Sequence, residues 1–183
     1  MLVLGITGPI GSGKDVVTNY LNEEYGFETF SCGDAIREIA KERDIEPTRE
    51  NLQELGKSCR EKQGNGFLGQ KAAEMARNSH GERIAVNGIR SPEEVDVLRK
   101  SFDESFVLIN VKTDEKTRFE RLRNRGRKGD PENFEGFKKQ DRKDKEKFGM
   151  EETFSKADLE IENNGSIKEL HHSVDKMLSD IIP

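Results

Sequence analysis

The chain has 183 residues, 37% of them charged and 32% hydrophobic, with a formal net charge of −5. That length suits one domain with a real but economical core, and the acidic balance excludes a globally basic binder of nucleic acid or anionic membrane, so any basic function must be local. No apolar run approaches the roughly 20 residues of a membrane span, and Cys32 and Cys59 match no zinc or redox spacing, reading instead as reduced thiols of a cytoplasmic protein.

The opening "MLVLGITG" lacks a basic leader and a cleavage site and is not read as a signal peptide. Within it "LVLGIT", short, apolar and β-branched, predicts a buried strand. Residues 14–25 predict a helix with Val16, Val17, Tyr20 and Leu21 as its apolar stripe and Gly26 as its stop. "FETF" predicts a second short strand. From Asp34 to Asn78 the pattern is helical: "DAIREIAKERD", then Thr48 as a cap with Asn51 three residues on, "LQELGKSCREKQ", a break at "GNG" and "FLGQKAAEMARN". "RIAVNGI" predicts a third strand, and "SPEEVDVLRKSF" has the Ser cap, first-turn Pro and early acids of a helix start. "SFVLINV" is a fourth strand, "DEKTRFERLRNRGR" a basic helix, "KGDPEN" a turn and "FEGFKKQDRKDKEKFG" a charged helix. "ADLEIENN" supplies a fifth, edge-like strand, and "SIKELHHSVDKMLSDII" a closing amphipathic helix. His80 and the adjacent His171 and His172 lack ligand-like spacing and read as surface residues.

Strands alternating with helices predict an α/β fold of three layers, a five-stranded parallel sheet covered by helices on both faces. The whole chain reads as one domain with its core in residues 1–30, 81–117 and 149–183. Two helical excursions, residues 31–80 and 118–148, read as movable flaps over a ligand: an acceptor-binding insert and a lid.

Gly8-Pro9-Ile10-Gly11-Ser12-Gly13-Lys14 satisfies G-x-x-x-x-G-K between a predicted strand and a predicted helix, the context of a P-loop NTPase phosphate-binding loop. Glycines let main-chain N–H groups turn inward around a β-phosphate, the helix N-terminus adds its dipole, and Lys14 offsets charge on the β- and γ-phosphates. Gly8, Gly11, Ser12, Gly13, Lys14 and Asp15 are therefore the expected nucleotide contacts, with ATP and Mg2+ as cofactors. Asp15 stands where the pattern wants the Ser or Thr hydroxyl that ligates Mg2+, and a bare carboxylate beside a triphosphate repels it unless a metal lies between. The second metal-organising position, usually an Asp ending the next buried strand, is the neutral Asn87 of "IAVNG". Either the two departures offset one another and Asp15 and Asn87 share the ion, or Asp15 merely favours its helix dipole while water and phosphates hold Mg2+.

"SCGDAIRE" (residues 31–38) and "NGIRS" (87–91) resemble adenylate kinase, in which a Gly-Asp-x-x-Arg follows the second strand and an Asp-Gly segment with an Arg follows the third. Gly33, Asp34 and Arg37 match the first, and Gly88 and Arg90 the second, with Asn87 for the usual Asp. The resemblance implies that Arg37 and Arg90 hold an acceptor's phosphate, a role that suits a guanidinium fork. Over nearly its whole length the chain is similar to archaeal P-loop proteins described as dephospho-CoA kinase-like or nucleotide kinase-like. The matching segments are "GDAIRE", "EPTRENLQELGKSCRE", "NGIRSPEEVDVLRK", "KTRFERLRNRGRKGDPENFEGFKKQDR" and "ADLEIENNGSIKEL"; Asn87 departs from that family's "DGIR". The Gly-Lys-Asp loop ending also resembles phage deoxynucleotide monophosphate kinases and animal phosphomevalonate kinase, so Asp15 is compatible with phosphoryl transfer.

In "RFERLRNRGR", Arg118, Arg121 and Arg125 stand at i, i+3 and i+7 on one helix face, and Arg127 follows Gly126. Arg123 lies off that stripe and reads as solvated. The resemblance implies that Arg121 and Arg125 close over the transferring phosphoryl group and shut out water. Arg127 and the Asp141-Arg142 pair then complete the lid's substrate contacts, and the "ENNGS" junction with Asn164 flanks the adenine. By its turn chemistry alone, Asn163-Asn164-Gly165 is equally a plain turn. No aromatic residues interleave the stripe, so nucleic acid is not an expected partner.

Two acceptors compete within the resulting reading of an ATP-dependent small-molecule kinase, monomeric or homodimeric and not membrane-bound. A nucleoside or deoxynucleoside monophosphate brings an oxygen already ionised and needs positioning and charge rather than a base; the arginines favour it. The ribose hydroxyl of dephospho-CoA needs a carboxylate for its proton, and Asp34 is where such kinases place one. A nucleotide-gated switch or weak ATPase acting on a protein or RNA partner is the reading from another class.

Overall fold

The computed structural model describes residues 1–127 and 129–182, Arg49 by its backbone only. Leu2–Thr7 (β1) carries side chains that can be buried on both faces, as a strand between two parallel neighbours requires. It lies at the middle of a five-stranded parallel sheet whose other members are Glu28–Ser31 (β2), Arg83–Ile89 (β3), Phe106–Lys112 (β4) and Leu159–Glu162 (β5), in the order β2-β3-β1-β4-β5. The two edges, β2 and β5, are the shortest of these strands, which limits the unpaired backbone they offer.

The helices, in chain order, are Lys14–Tyr25 (α1), Cys32–Glu42 (α2), Arg49–Gln63 (α3), Phe67–Asn78 (α4), Pro92–Phe102 (α5), Glu115–Arg125 (α6), Phe134–Phe148 (α7), Met150–Ser155 (α8) and Ile167–Ile181 (α9). On one face of the sheet Leu4, Ile6 and Val111 pack with Val17 and Leu21 of α1 and Val174 and Leu178 of α9. On the other, Val3, Ile84, Val86 and Leu108 pack with Ala35, Ala72 and Val95 of α2, α4 and α5. Each large aliphatic side chain so buried contributes about 1.5–3 kcal/mol. Cys32 and Cys59 are free and buried in the second cluster. Among the described residues no helix is long and apolar enough to cross a membrane.

The expected caps operate. Thr48 accepts from the Asn51 amide and Ser91–Glu94 forms a reciprocal capping box; Ser31–Asp34 and Ser166–Glu169, which the sequence reading did not name, form two more. Three features differ from expectation. Helix α8 follows α7 directly after Gly149; at six residues it is too short to show a period, and Thr153 holds it by donating to the Arg90 carbonyl at 2.9 Å. A 3-10 turn, Asp103–Ser105, precedes β4. His171 is half-buried, stacked on Tyr20 with ring centroids 3.8 Å apart, rather than free at the surface. The turn expected over residues 128–133 begins at Lys128, outside the described residues.

The register between β1 and β3 slips at the carboxyl end: Ile6 faces Asn87, but Thr7 faces Ile89. Gly88 is left in a bulge at φ 81, a conformation that favours glycine. The bulge ends the strand with Asn87 beside the glycine loop and sends Arg90 outward, both at the carboxyl edge of the sheet, where parallel α/β sheets place their ligands.

Candidate functional site

The loop between β1 and α1 is held open from outside. Arg118 Nη1 donates to the Ile10 carbonyl at 3.1 Å, and the Ser12 carbonyl accepts from Asn163 Nδ2 at 2.8 Å and Thr113 Oγ1 at 3.1 Å. Because a trans peptide is planar, a carbonyl drawn outward points the next residue's N–H the opposite way. The amides of Gly11 and Gly13 therefore face the hollow of the loop, beside the N-terminus of α1, a ready anion site. Gly13 must be glycine: its φ is 91°, and a Cβ there would stand 2.3 Å from Asn163 Nδ2. Ser12 Oγ is buried in this loop with no partner among the described residues.

Lys14 folds back on the loop, its Nζ donating to the Gly8 and Pro9 carbonyls at 2.7 and 2.9 Å. Loss of solvent, then the nearby Arg90 and Arg118 charges, outweigh the help of Asp15 and push its ammonium down from 10.5 to about 7. An ammonium so disfavoured is a cation prepared for an anion. Asp15 and Asn87, 72 residues apart, meet: Asn87 Nδ2 donates to Asp15 Oδ1 at 2.9 Å, and Asn87 Oδ1 is buried without a partner among the described residues. One carboxylate and one orphaned amide oxygen fit Mg2+, which takes one or two protein oxygens and fills its octahedron with phosphates and water. Among the described residues no group of three or more His, Cys, Asp or Glu gathers as a metal site.

Arg121 leans from α6 over the end of the loop. Its Nη2 donates to Asn163 Oδ1 at 3.2 Å and, more weakly, to the Gly165 carbonyl at 3.4 Å, while its Nη1 is buried with no partner among the described residues. Desolvation lowers its pKa, so this donor too is better off beside an anion. Asn163 is thus the junction residue that reaches the loop. Asn164 instead accepts from the Asp114 amide at 2.9 Å, at the start of α6.

The three arginines expected on one stripe of α6 part company. Arg118 is turned inward and buried, with Nη1 and Nη2 donating to the two Asp141 oxygens at 2.6 and 2.9 Å, Nε to the Thr113 carbonyl, and Phe137 against its guanidinium. Arg125 pairs with Asp130, whose Oδ2 also accepts from the Arg127 amide. The Arg127 and Arg123 side chains are exposed, as expected for Arg123. Arg142 lines a cleft of about 550 Å³ between α7 and α8, with Lys138, Lys145 and Glu151 among its neighbours.

On the β2–β3 side, Asp34 is committed to the start of α2. Its Oδ2 accepts from the Ser31 amide and hydroxyl at 3.1 and 2.7 Å, and its Oδ1 accepts from Arg37 at 2.7 Å. Arg37 is otherwise exposed. The Arg90 guanidinium makes no hydrogen bond among the described residues and lies 5.5 Å from the Phe148 ring centroid. Sequence reasoning missed Asn163, Thr113 and the inward role of Arg118, because each acts through partners far along the chain.

The sheet order, the two helical layers and the anchored loop define a P-loop NTPase domain of kinase-like build. A family model described as an AAA domain matches residues 4–143, and the UPF0200 protein TK1334 of Thermococcus kodakarensis is 33% identical over 184 residues, covering 99% of this chain and 98% of its own. The chain belongs to the AAA-domain family of P-loop proteins and to the UPF0200 proteins. Among solved structures, a shikimate kinase from Bacteroides thetaiotaomicron superposes with a TM-score of 0.66 at 12% identity, over 98% of both chains. A gluconokinase from Sinorhizobium meliloti does so at 0.57 and 14%, over 98% of this chain and 95% of its own. At such identities the likeness shows the fold.

Proposed function

We propose that the protein is an ATP-dependent phosphotransferase acting on a small phosphorylated acceptor, a nucleoside or deoxynucleoside monophosphate first among them. The observation that carries this reading is the outward anchoring of the Ile10 and Ser12 carbonyls, which turns the loop into a cradle of amides. Gly8 to Asp15 then hold the polyphosphate, and Lys14 exchanges its two loop carbonyls for phosphate oxygens. Arg121 adds its unpartnered Nη1, and Arg125, Arg127 and Arg142 lie on the part that closes. In this reading residues 31–80 are the acceptor-binding insert and 118–148 the lid. Mg2+, when bound, neutralises charge on the phosphate oxygens, and Asp15 and Asn87 are the residues that would hold it. The acceptor's phosphate meets Arg37 and Arg90. Its own ionised oxygen is the nucleophile, so these residues orient and neutralise rather than remove a proton. The kinase structures sharing this fold support transfer to a small molecule.

Asp34 bears on the choice of acceptor. Its oxygens are taken by Ser31 and Arg37, which suits capping better than proton removal from a ribose hydroxyl. Asp34→Asn is therefore expected to slow turnover of a monophosphate by less than about tenfold, within the modest cost of a weakened cap. Loss of dephospho-CoA turnover by orders of magnitude would instead establish a base. Asp15→Ala is expected to raise the apparent Mg2+ requirement in steady-state kinetics roughly tenfold, about 1.4 kcal/mol. An unchanged requirement would leave Asp15 only its helix dipole.

A coupled ADP-release screen against nucleoside and deoxynucleoside monophosphates and dephospho-CoA, with Lys14→Ala as the blank, tests the whole reading. Acceleration by a monophosphate is expected. ATP hydrolysis that no acceptor accelerates overturns it in favour of a nucleotide-gated switch.

A further inference from the structure

Arg60, near the end of α3, lies in the segment "EPTRENLQELGKSCRE" but takes no role from it, yet only 16% of its side chain is exposed. Its Nη2 donates at 3.2 Å to Glu94 Oε1, and the Glu94 side chain is completely buried. The other Glu94 oxygen accepts from the main-chain amides of Arg90 and Ser91 at 2.8 and 3.3 Å. One buried carboxylate therefore fixes Arg60 and the Arg90 segment together. Arg60 Nε is buried with no partner among the described residues, an unfavourable state until an acceptor arrives.

Both guanidinium groups lie against one ring. Arg60 and Arg90 stand 5.1 and 5.5 Å from the centroid of Phe148, and the Lys147 ammonium stands 5.1 Å from it. Phe148 is the last residue of α7, so α3, the β3–α5 junction and α7 converge on this point. Three cations share one ring, and among the described residues only the Arg60 side chain pairs with the buried Glu94 carboxylate. The local charge is positive in a net acidic chain, and an anion relieves both the charge excess and the orphaned N–H. Arg90 also lies near enough to Lys14 to depress its ammonium, so the cluster borders the phosphate loop.

We propose that Arg60 joins Arg90 and Arg37 in an anion seat for the phosphate dianion of the acceptor, with Phe148 holding the planes of Arg60 and Arg90 in place. Forked cations match the two charges of a phosphate monoester, where a carboxylate offers one. The inference deepens the phosphotransferase reading and rests on it for the word acceptor; the seat itself is tested by binding alone.

The chain has no tryptophan, so Phe148→Trp places a single reporter against both arginines. With ADP and Mg2+ saturating, inorganic phosphate is expected to change its fluorescence saturably, and acetate at equal ionic strength to leave it unchanged. Phosphorus NMR line broadening on the unsubstituted protein should return a matching phosphate affinity. Added Arg60→Ala should weaken phosphate at least tenfold. Arg60→Lys keeps a charge opposite Glu94 and so guards against misfolding; it loses the fork and should weaken phosphate about threefold to tenfold while melting with its parent. Arg43→Ala, which removes an exposed charge at the end of α2, should stay within twofold. No saturable phosphate response, affinity unmoved by Arg60→Lys, or an equal loss in Arg43→Ala overturns the seat. Calorimetry of ADP binding separates the two readings. Failure to bind ADP removes the phosphotransferase, and the same titrations repeated without nucleotide still judge the seat.

Discussion

Replacing Asp141 by alanine is expected to destabilise the protein by about 3–5 kcal/mol, the cost of stranding a buried charge, and to lower Tm by roughly 6–20 °C for a chain of this size. The partner left behind is Arg118, whose side chain is 1% exposed and has no water to turn to. Burial pushes the Asp141 carboxyl up, but the hydrogen bonds and charge of Arg118, aided by Lys145, outweigh it and hold the pKa below the ordinary carboxylate range. The sign follows: the stabilising contribution is present above the unfolded carboxylate pKa and is lost as pH falls through the lowered native value. Wild type and Asp141→Ala should therefore converge in acid and separate toward neutrality in urea melts. The double variant Arg118→Met/Asp141→Leu should recover most of the stability, because apolar replacements of a buried pair are often neutral. It should not recover ADP affinity, because the Ile10 carbonyl then lacks the donor that turns the Gly11 amide inward. A stability loss below about 1 kcal/mol in Asp141→Ala would mean that the pair is solvated and not a tie between α6 and α7.

What the sequence could show follows from where its signals act. Strand β1, the glycine loop and the Thr48 and Ser91 caps depend on residues within a few positions of one another, and their limits were legible to within a residue or two. The identity of Asn87 as a departure was equally legible, but not its contact with Asp15, which needs β3 to lie beside β1. Arg118 shows the limit of periodicity. A spacing of i, i+3, i+7 puts three arginines on one helix face but cannot say whether that face meets solvent or α7. Asp141 and Phe137 decide it, about twenty residues on, by offering a carboxylate and a ring. Asn163 and Asn164 are one turn signal by composition. The Asn163 amide extends the β5 ladder by donating to the Lys112 carbonyl at 2.8 Å, and that registration puts the Asn163 side chain, rather than its neighbour's, beside Ser12. Arg60 was hidden for the same reason, since only the assembled fold sets Glu94 and Phe148 against it.

Lys14→Ala is expected to lower turnover by about a thousandfold, the scale of removing one fixed donor from a developing anion, and a proton count gives the same residue a signature of its own. The Lys14 ammonium is depressed to about 7, first by desolvation and then by Arg90. Between that value and its unfolded pKa the native state binds fewer protons than the unfolded chain, so this group's contribution to stability rises with pH in that window. A polyphosphate reverses the balance, because its charge restores the ammonium. Binding of ADP at pH 8 should then take up most of one proton at Lys14, an uptake that shrinks as pH falls below 7, and affinity should fall as pH rises above 7. Calorimetry in buffers of different ionisation enthalpy reads that uptake directly. In Lys14→Ala the uptake at pH 8 should vanish along with the pH dependence, even where weak binding survives through the loop amides. Uptake that persists without Lys14 would assign the proton to another group and remove the reason for its depressed pKa from the nucleotide site.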